Sequence, residues 1–170
     1  MDKRYLLIII IIFVCAINLY MIADFSDVVG SASVDIGNYT VSLPEGFSLY
    51  ENSNNQVLIS NPNTHMHIKI YTIVSPSDTY LNQTQEFNSS SKYVLLSNGT
   101  VNINGNNIEC IFFRNTEDHD NCSVFYYSKF DHVFKLYMRG FNYDLQKNES
   151  VKIAEQLVDT TKINYKKYSD

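Results

Sequence analysis

The sequence predicts an α+β chain: an N-terminal transmembrane helix, then an antiparallel β-sheet of about six to seven strands packed with two helices. Three observations lead there. An uncharged apolar run opens the chain, short alternating segments cluster in groups separated by turn residues, and two stretches carry apolar residues at helical spacing. Strands in groups with helices set apart argue an antiparallel arrangement rather than alternating βαβ units.

Tyr5 to Ala23 reads YLLIIIIIFVCAINLYMIA, without a charge and with one amide at Asn18. As a helix rising 1.5 Å per residue it spans roughly 28 Å, close to a hydrocarbon core. It shows no polar stripe for water to meet. Lys3 and Arg4 precede the run and Asp24 and Asp27 follow it, so the positive-inside rule keeps the N-terminus cytoplasmic and carries the body across. Residues 1–24 therefore read as a membrane anchor, with a cleaved signal peptide as the alternative. Met21 at minus three to Ala23 fits cleavage poorly, and Cys15 lacks the small residue a lipobox places before it. The expected location is a cell membrane crossed once, with residues 5–23 in lipid and the rest extracytoplasmic.

Residues 25–38, small and polar with Gly30 and Gly37, read as a short stalk. Tyr39 to Leu43 alternates with Tyr39, Val41 and Leu43 on one face, and Pro44-Glu45-Gly46 ends it in a turn. Gln56 to Ser60 is a second strand, stopped at Asn61-Pro62. His65 to Ile73 is the clearest strand, with Met66, Ile68 and Ile70 on one side and His65, His67, Lys69 and Tyr71 on the other. Ser75-Pro76 then reads as a cap and first helical position. Tyr80, Leu81, Thr84 and Phe87 continue the helix to about Asn88.

Extended structure resumes at Tyr93 to Ser97. Asn98-Gly99 and Asn104-Gly105 both read as type I′ hairpin turns. Three strands follow, Ile108–Arg114, Ser123–Phe130 and Val133–Phe141, joined by the polar loop Asn115–Asn121 and a turn at Asp131. In the last, Phe134, Leu136 and Met138 face the core while Lys135, Tyr137 and Arg139 face out. Asn148 caps a final helix from Glu149 to about Thr160, whose stripe is Val151, Ala154, Leu157 and Val158. From Lys162 the chain reads as a polar, frayed end. The folded domain is placed at residues 39–165 and the tail at 166–170.

Tyr39-Thr-Val-Ser-Leu-Pro-Glu-Gly-Phe47 resembles the strand-then-turn opening of the PsbP-like fold families. Val101-Asn-Ile-Asn-Gly105 resembles their central hairpin, and the closing helix falls where theirs does. The resemblance spans about residues 39–165. It implies a binding or assembly module, often extracytoplasmic, without a shared catalytic site, and it assigns no functional residue here.

The net charge is −5, and the longest basic cluster is Lys166-Lys167, which argues against nucleic acid as a partner. No nucleophile elbow, P-loop or dinucleotide fingerprint is present, so the chain reads as a non-enzyme without a cofactor. His65 and His67 share a strand face about 6.5–7 Å apart and form the candidate metal pair; the alternative is a polar face shared with Lys69. Glu117-Asp118-His119-Asp120 lacks the ligand spacing of an EF-hand and reads as a solvated turn. Cys110 and Cys122 lie on consecutive strands. They bond if residues 111 and 121 face each other, and stay apart if the hairpin is symmetric about Asp118. Six sequons, at Asn38, Asn82, Asn88, Asn98, Asn121 and Asn148, agree with export as a glycoprotein. The aromatic content of 14% reads as core. The expected partner, beyond membrane lipid, is another envelope or surface protein.

Overall fold

The computed structural model describes residues 32–72, 80–130, 132–141 and 143–164. Two sheets and two helices make up this unit. The larger sheet has seven strands in the order β3-β4-β5-β9-β8-β7-β6, and the smaller has three in the order β1-β2-β10. In chain order the elements are β1 (Ser33–Ile36), β2 (Tyr39–Ser42), β3 (Ser48–Ser53), β4 (Gln56–Asn61), β5 (Met66–Thr72), α1 (Tyr80–Ser89), β6 (Tyr93–Ile103), β7 (Asn106–Asn115), β8 (Asn121–Lys129), β9 (His132–Phe141), α2 (Tyr143–Thr160) and β10 (Lys162–Ile163). All paired strands are antiparallel.

Period-2 patterning sets the faces of the large sheet. Ile68 sits opposite Met138, and Ile70 opposite Leu136. These four residues are fully buried, as is Phe134. Against this inner face pack Val34, Ile36 and Val41 from the small sheet and Ala154, Leu157 and Val158 from α2, forming the main core. Each fully buried Ile, Leu or Phe contributes roughly 1.5–3 kcal/mol, so this layer supplies most of the hydrophobic stabilisation.

Several expectations change. Ser33–Ile36 was expected in the stalk, but it forms β1 because Val34 and Ile36 alternate into the core; the compact unit begins at Ser33, not Tyr39. Strand β3 carries no alternation at all, since its six residues are all exposed, and backbone pairing to β4 alone makes it a strand. Asn98-Gly99 is not a turn: β6 runs through it, Asn98 opposite Ile111 and Gly99 opposite Cys110, with a bulge between Leu95 and Ser97. Asn104-Gly105 is the turn, with both residues at positive φ (50° and 83°) as a type I′ hairpin requires. Helix α2 starts at Tyr143 rather than Glu149. Lys162 and Ile163 are not frayed but pair with Thr40 and Tyr39.

The Ser75 cap, the Asp131 turn, the 166–170 tail and the apolar run Tyr5–Ala23 lie outside the described residues. Among the described residues no helix is long and apolar enough to cross a membrane.

Candidate functional site

Among the described residues, the outer face of the large sheet is covered on one side only. Helix α1 lays Phe87 over β7, where its ring stacks on Phe113 at 4.2 Å and meets Tyr93 edge-on at 4.9 Å. Ile111, Cys122, Val124 and Tyr126 complete this second core, with Tyr137 packed at its border. Lys135, Tyr137 and Arg139 lie on the outer face as the alternation predicts, but Tyr137 borders this second core and Lys135 is buried.

Beyond Tyr137 the face opens. Leu58, His65, His67, Lys69, Tyr71, Asp120, Tyr137, Arg139 and Gly140 line a cleft of about 720 Å³. Strand register builds it. On β5 and β9, His67 pairs with Arg139, Lys69 with Tyr137, and Tyr71 with Lys135, while Leu58 of β4 stands beside Lys69. Side chains facing each other across the ladder lie about 4.5–5.5 Å apart at Cβ, so cations and aromatics alternate over a patch three rungs long. Lys135 Nζ sits 5.5 Å from the Tyr71 ring centroid, a cation–π contact.

Arg139 closes one end. Its Nε donates to Asp120 at 2.7 Å and its Nη2 to Asp118 at 2.5 Å, tying the β7–β8 loop onto the sheet. The bond to Asp120, with help from the Asp118 charge, raises the Arg139 pKa against the opposing effect of burial. Beneath this pair the Cys122 thiol donates to the Asp120 carbonyl at 3.8 Å and lies 3.4 Å from the Tyr137 hydroxyl. Burial pushes the thiol up from 9.0 to about 11, outweighing the Tyr137 bond and Arg139. Burial, then the bond to Cys122, raises Tyr137 well above its ordinary range. Both groups hold their protons at neutral pH, so neither is a ready nucleophile or base.

His65 and His67 both line this cleft, but not as neighbours on one strand. His65 belongs to the turn before β5, with φ at 57°, and only His67 lies on β5. Among the described residues no group of three His, Cys, Asp or Glu side chains is placed to hold a metal ion. Glu117, Asp118 and His119 form an exposed turn, fixed by Asn115 and by Arg139.

The cysteines adopt neither of the two registers weighed from sequence. Cys110 faces Phe125 and Cys122 faces Phe113, one residue from the arrangement symmetric about Asp118. Cys110 turns into the main core and Cys122 into the second, so no disulfide joins them. Of the sequon residues, Asn38, Asn82, Asn88, Asn98 and Asn148 are exposed, whereas Asn121 is buried and accepts a bond from Arg114 Nε at 3.0 Å.

Sequence reasoning missed Asp120, Tyr137 and Arg139 as cleft residues. For Tyr137 and Arg139 the signal is the outward alternation of β9, which marks a cleft wall only once β5 is placed beside it; Asp120, in the β7–β8 loop, carries no such signal.

No protein-family model matches the chain, and no curated protein sequence matches it. Solved structures do. The Saccharomyces cerevisiae Ran-binding protein Mog1p aligns over 80% of this chain and 96% of its own, at 14% identity and a TM-score of 0.50. A Bacteroides thetaiotaomicron protein aligns over 79% of this chain and 48% of its own, at 15% identity and a TM-score of 0.51.

The chain has the PsbP/Mog1-like fold.

Cyanobacterial PsbP from Synechocystis also aligns, over 79% of this chain and 93% of its own, at 12% identity and a TM-score of 0.48. At such identities the likeness is one of fold. Within this PsbP/Mog1-like frame the cleft is described by the side chains that this chain places on β4, β5 and β9.

Proposed function

We propose that the chain is a membrane-tethered binding module: residues 5–23 hold it in lipid, the folded unit stands outside the cytoplasm, and a protein partner docks on the open β4-β5-β9 face without being chemically altered. The single observation behind the docking face is the one-sided cover of the sheet among the described residues, which leaves Lys69, Tyr71 and Tyr137 in an open cleft while α1 covers β6, β7 and β8. A concave patch with a few convergent polar groups is where binding is expected. Catalysis finds little support there, because the thiol and phenol at the cleft border are held protonated by burial. Mog1p is a Ran-binding protein; for an exported chain the matching role is binding another envelope or surface protein. Tethering rests on the uncharged run and on the order of charges around it.

Two experiments test the reading. A photo-crosslinking residue at Leu58, inside the cleft, is expected to give a discrete protein adduct in intact cells, and the same residue at exposed Lys152 on α2 is not. Equal adducts from both positions, or none from Leu58, would remove the docking face. In the second, a Ser169→Cys chain is treated with a membrane-impermeant maleimide; Cys110 and Cys122 are buried and do not compete. Labelling of intact cells is expected, and labelling only after lysis would overturn the export reading.

A further inference from the structure

Among the described residues, the cleft contains a cation without a carboxylate partner. Lys69 stands at its centre, between Leu58 on one side and Tyr137 on the other. Among the described residues it has no carboxylate partner; the ion pairs present there join Arg139 to Asp118 and Asp120. His67 lies two residues away on the same face of β5, with Tyr71 two residues the other way.

The protein itself shows how this surface holds acid groups. Asp118 and Asp120, two residues apart in the β7–β8 loop, both reach Arg139, the rung beside His67. In an extended chain, side chains two residues apart point the same way and lie about 6.5–7 Å apart, which is also the spacing of Lys69 and His67 along β5. A carboxylate on Lys69 and the next but one on His67 would therefore come from an extended segment running along the strand.

We propose that the ligand of this cleft is an extended acidic peptide segment of the partner protein, with carboxylates on alternate residues, the first of them paired with Lys69. The proposal rests on the cleft being the docking face. The chain's net charge of −5 gives an acidic ligand no long-range attraction, so recognition depends on contact groups and on their spacing.

The probe is a fluorescein-labelled peptide of five Asp-Ser repeats, titrated by anisotropy against the detergent-solubilised full-length chain. Controls are five Asn-Ser repeats and a peptide of the same composition with all its Asp residues in one block. The alternating peptide is expected to bind best. Lys69→Gln should weaken it by about tenfold or more, as loss of a charge-assisted bond does. Lys69→Arg should keep binding, and Lys152→Gln on α2 should leave it unchanged. Circular dichroism of the Lys69 variants reports that the fold is intact.

Equal binding of the Asp and Asn peptides, or an unchanged affinity in Lys69→Gln, would overturn the proposal; equal binding of the block peptide would overturn the spacing. If crosslinking at Leu58 captures a discrete partner while no peptide depends on Lys69, the acidic ligand is wrong and the docking face stands. If both fail, the docking face falls too.

Discussion

Gly140 passes so close to the backbone of His65 that a Cβ on it would overlap the His65 carbonyl oxygen and stand 3.3 Å from the Met66 Cα. Both residues have left-handed backbones, with φ of 108° and 57°. This approach seats the turn before β5 against the end of β9 and shapes one wall of the cleft. Gly140→Ala meets both the overlap and an unfavourable φ, and should cost about 2 kcal/mol or more. A urea titration checks it. His65→Gly, which relieves a strained φ, should leave stability unchanged or raise it slightly.

Phe87 anchors α1 to the outer face. Its ring touches Phe113 and Tyr93, and it is the buried residue of that helix. Phe87→Ala leaves a void over β7 and should cost roughly 3–5 kcal/mol. Hydrogen exchange should show α1 losing protection before the β8–β9 pair, because the main core on the other face is untouched.

Lys129 caps α2 from another element. Its Nζ donates to the Val158 carbonyl at 2.6 Å and to that of Asp159 at 3.3 Å, placing a cation where the last-turn carbonyls gather. Burial lowers the Lys129 pKa, with the Asp159 charge opposing. Lys129→Met keeps the stem and loses the cap, for about 1 kcal/mol, read as a lower thermal midpoint.

Stability should fall at alkaline pH. The folded protein holds the Cys122 proton up to about 11, whereas the unfolded chain releases it near 9.0. Above 9 the folded state therefore binds more protons, so the stabilisation is complete below that pH and is lost as pH rises through about 11. Tyr127 and Tyr137, both raised by burial from 10.0, extend the loss upward. Denaturation midpoints measured from pH 8 to 11 should drop across this window, and less so in Cys122→Ala. In the native state at pH 8, Cys122 should resist thiol reagents, and unfolding should expose it.

The legible parts of this fold were those whose alternation meets a buried face. Met66, Ile68 and Ile70, and again Phe134, Leu136 and Met138, were read correctly because period 2 and burial coincide. Strand β3 was illegible for the opposite reason: SLYENS buries nothing and owes its conformation to β4. Asn98-Gly99 misled because a local turn preference was overridden by continuous pairing between β6 and β7. The cleft was half legible. His65 and His67 point to the right place, but Tyr137 and Arg139 arrive from a strand far along the chain through the β5–β9 register, and Asp120 arrives from a loop through its bond to Arg139.

The pairing of β10 with β2 sets an order on synthesis. Thr40 and Lys162 are among the first and last described residues, yet they share a ladder rung. While a ribosome still holds Lys162 in its tunnel, β2 has β1 but lacks its second neighbour, and the small sheet stays open along one edge. Such distant partners close late. A nascent chain halted shortly after Ile163 also keeps β9 back, since that strand lies just upstream and joins β5 to β8, so both sheets wait for release, a stage at which a chaperone would still find exposed strands to grip.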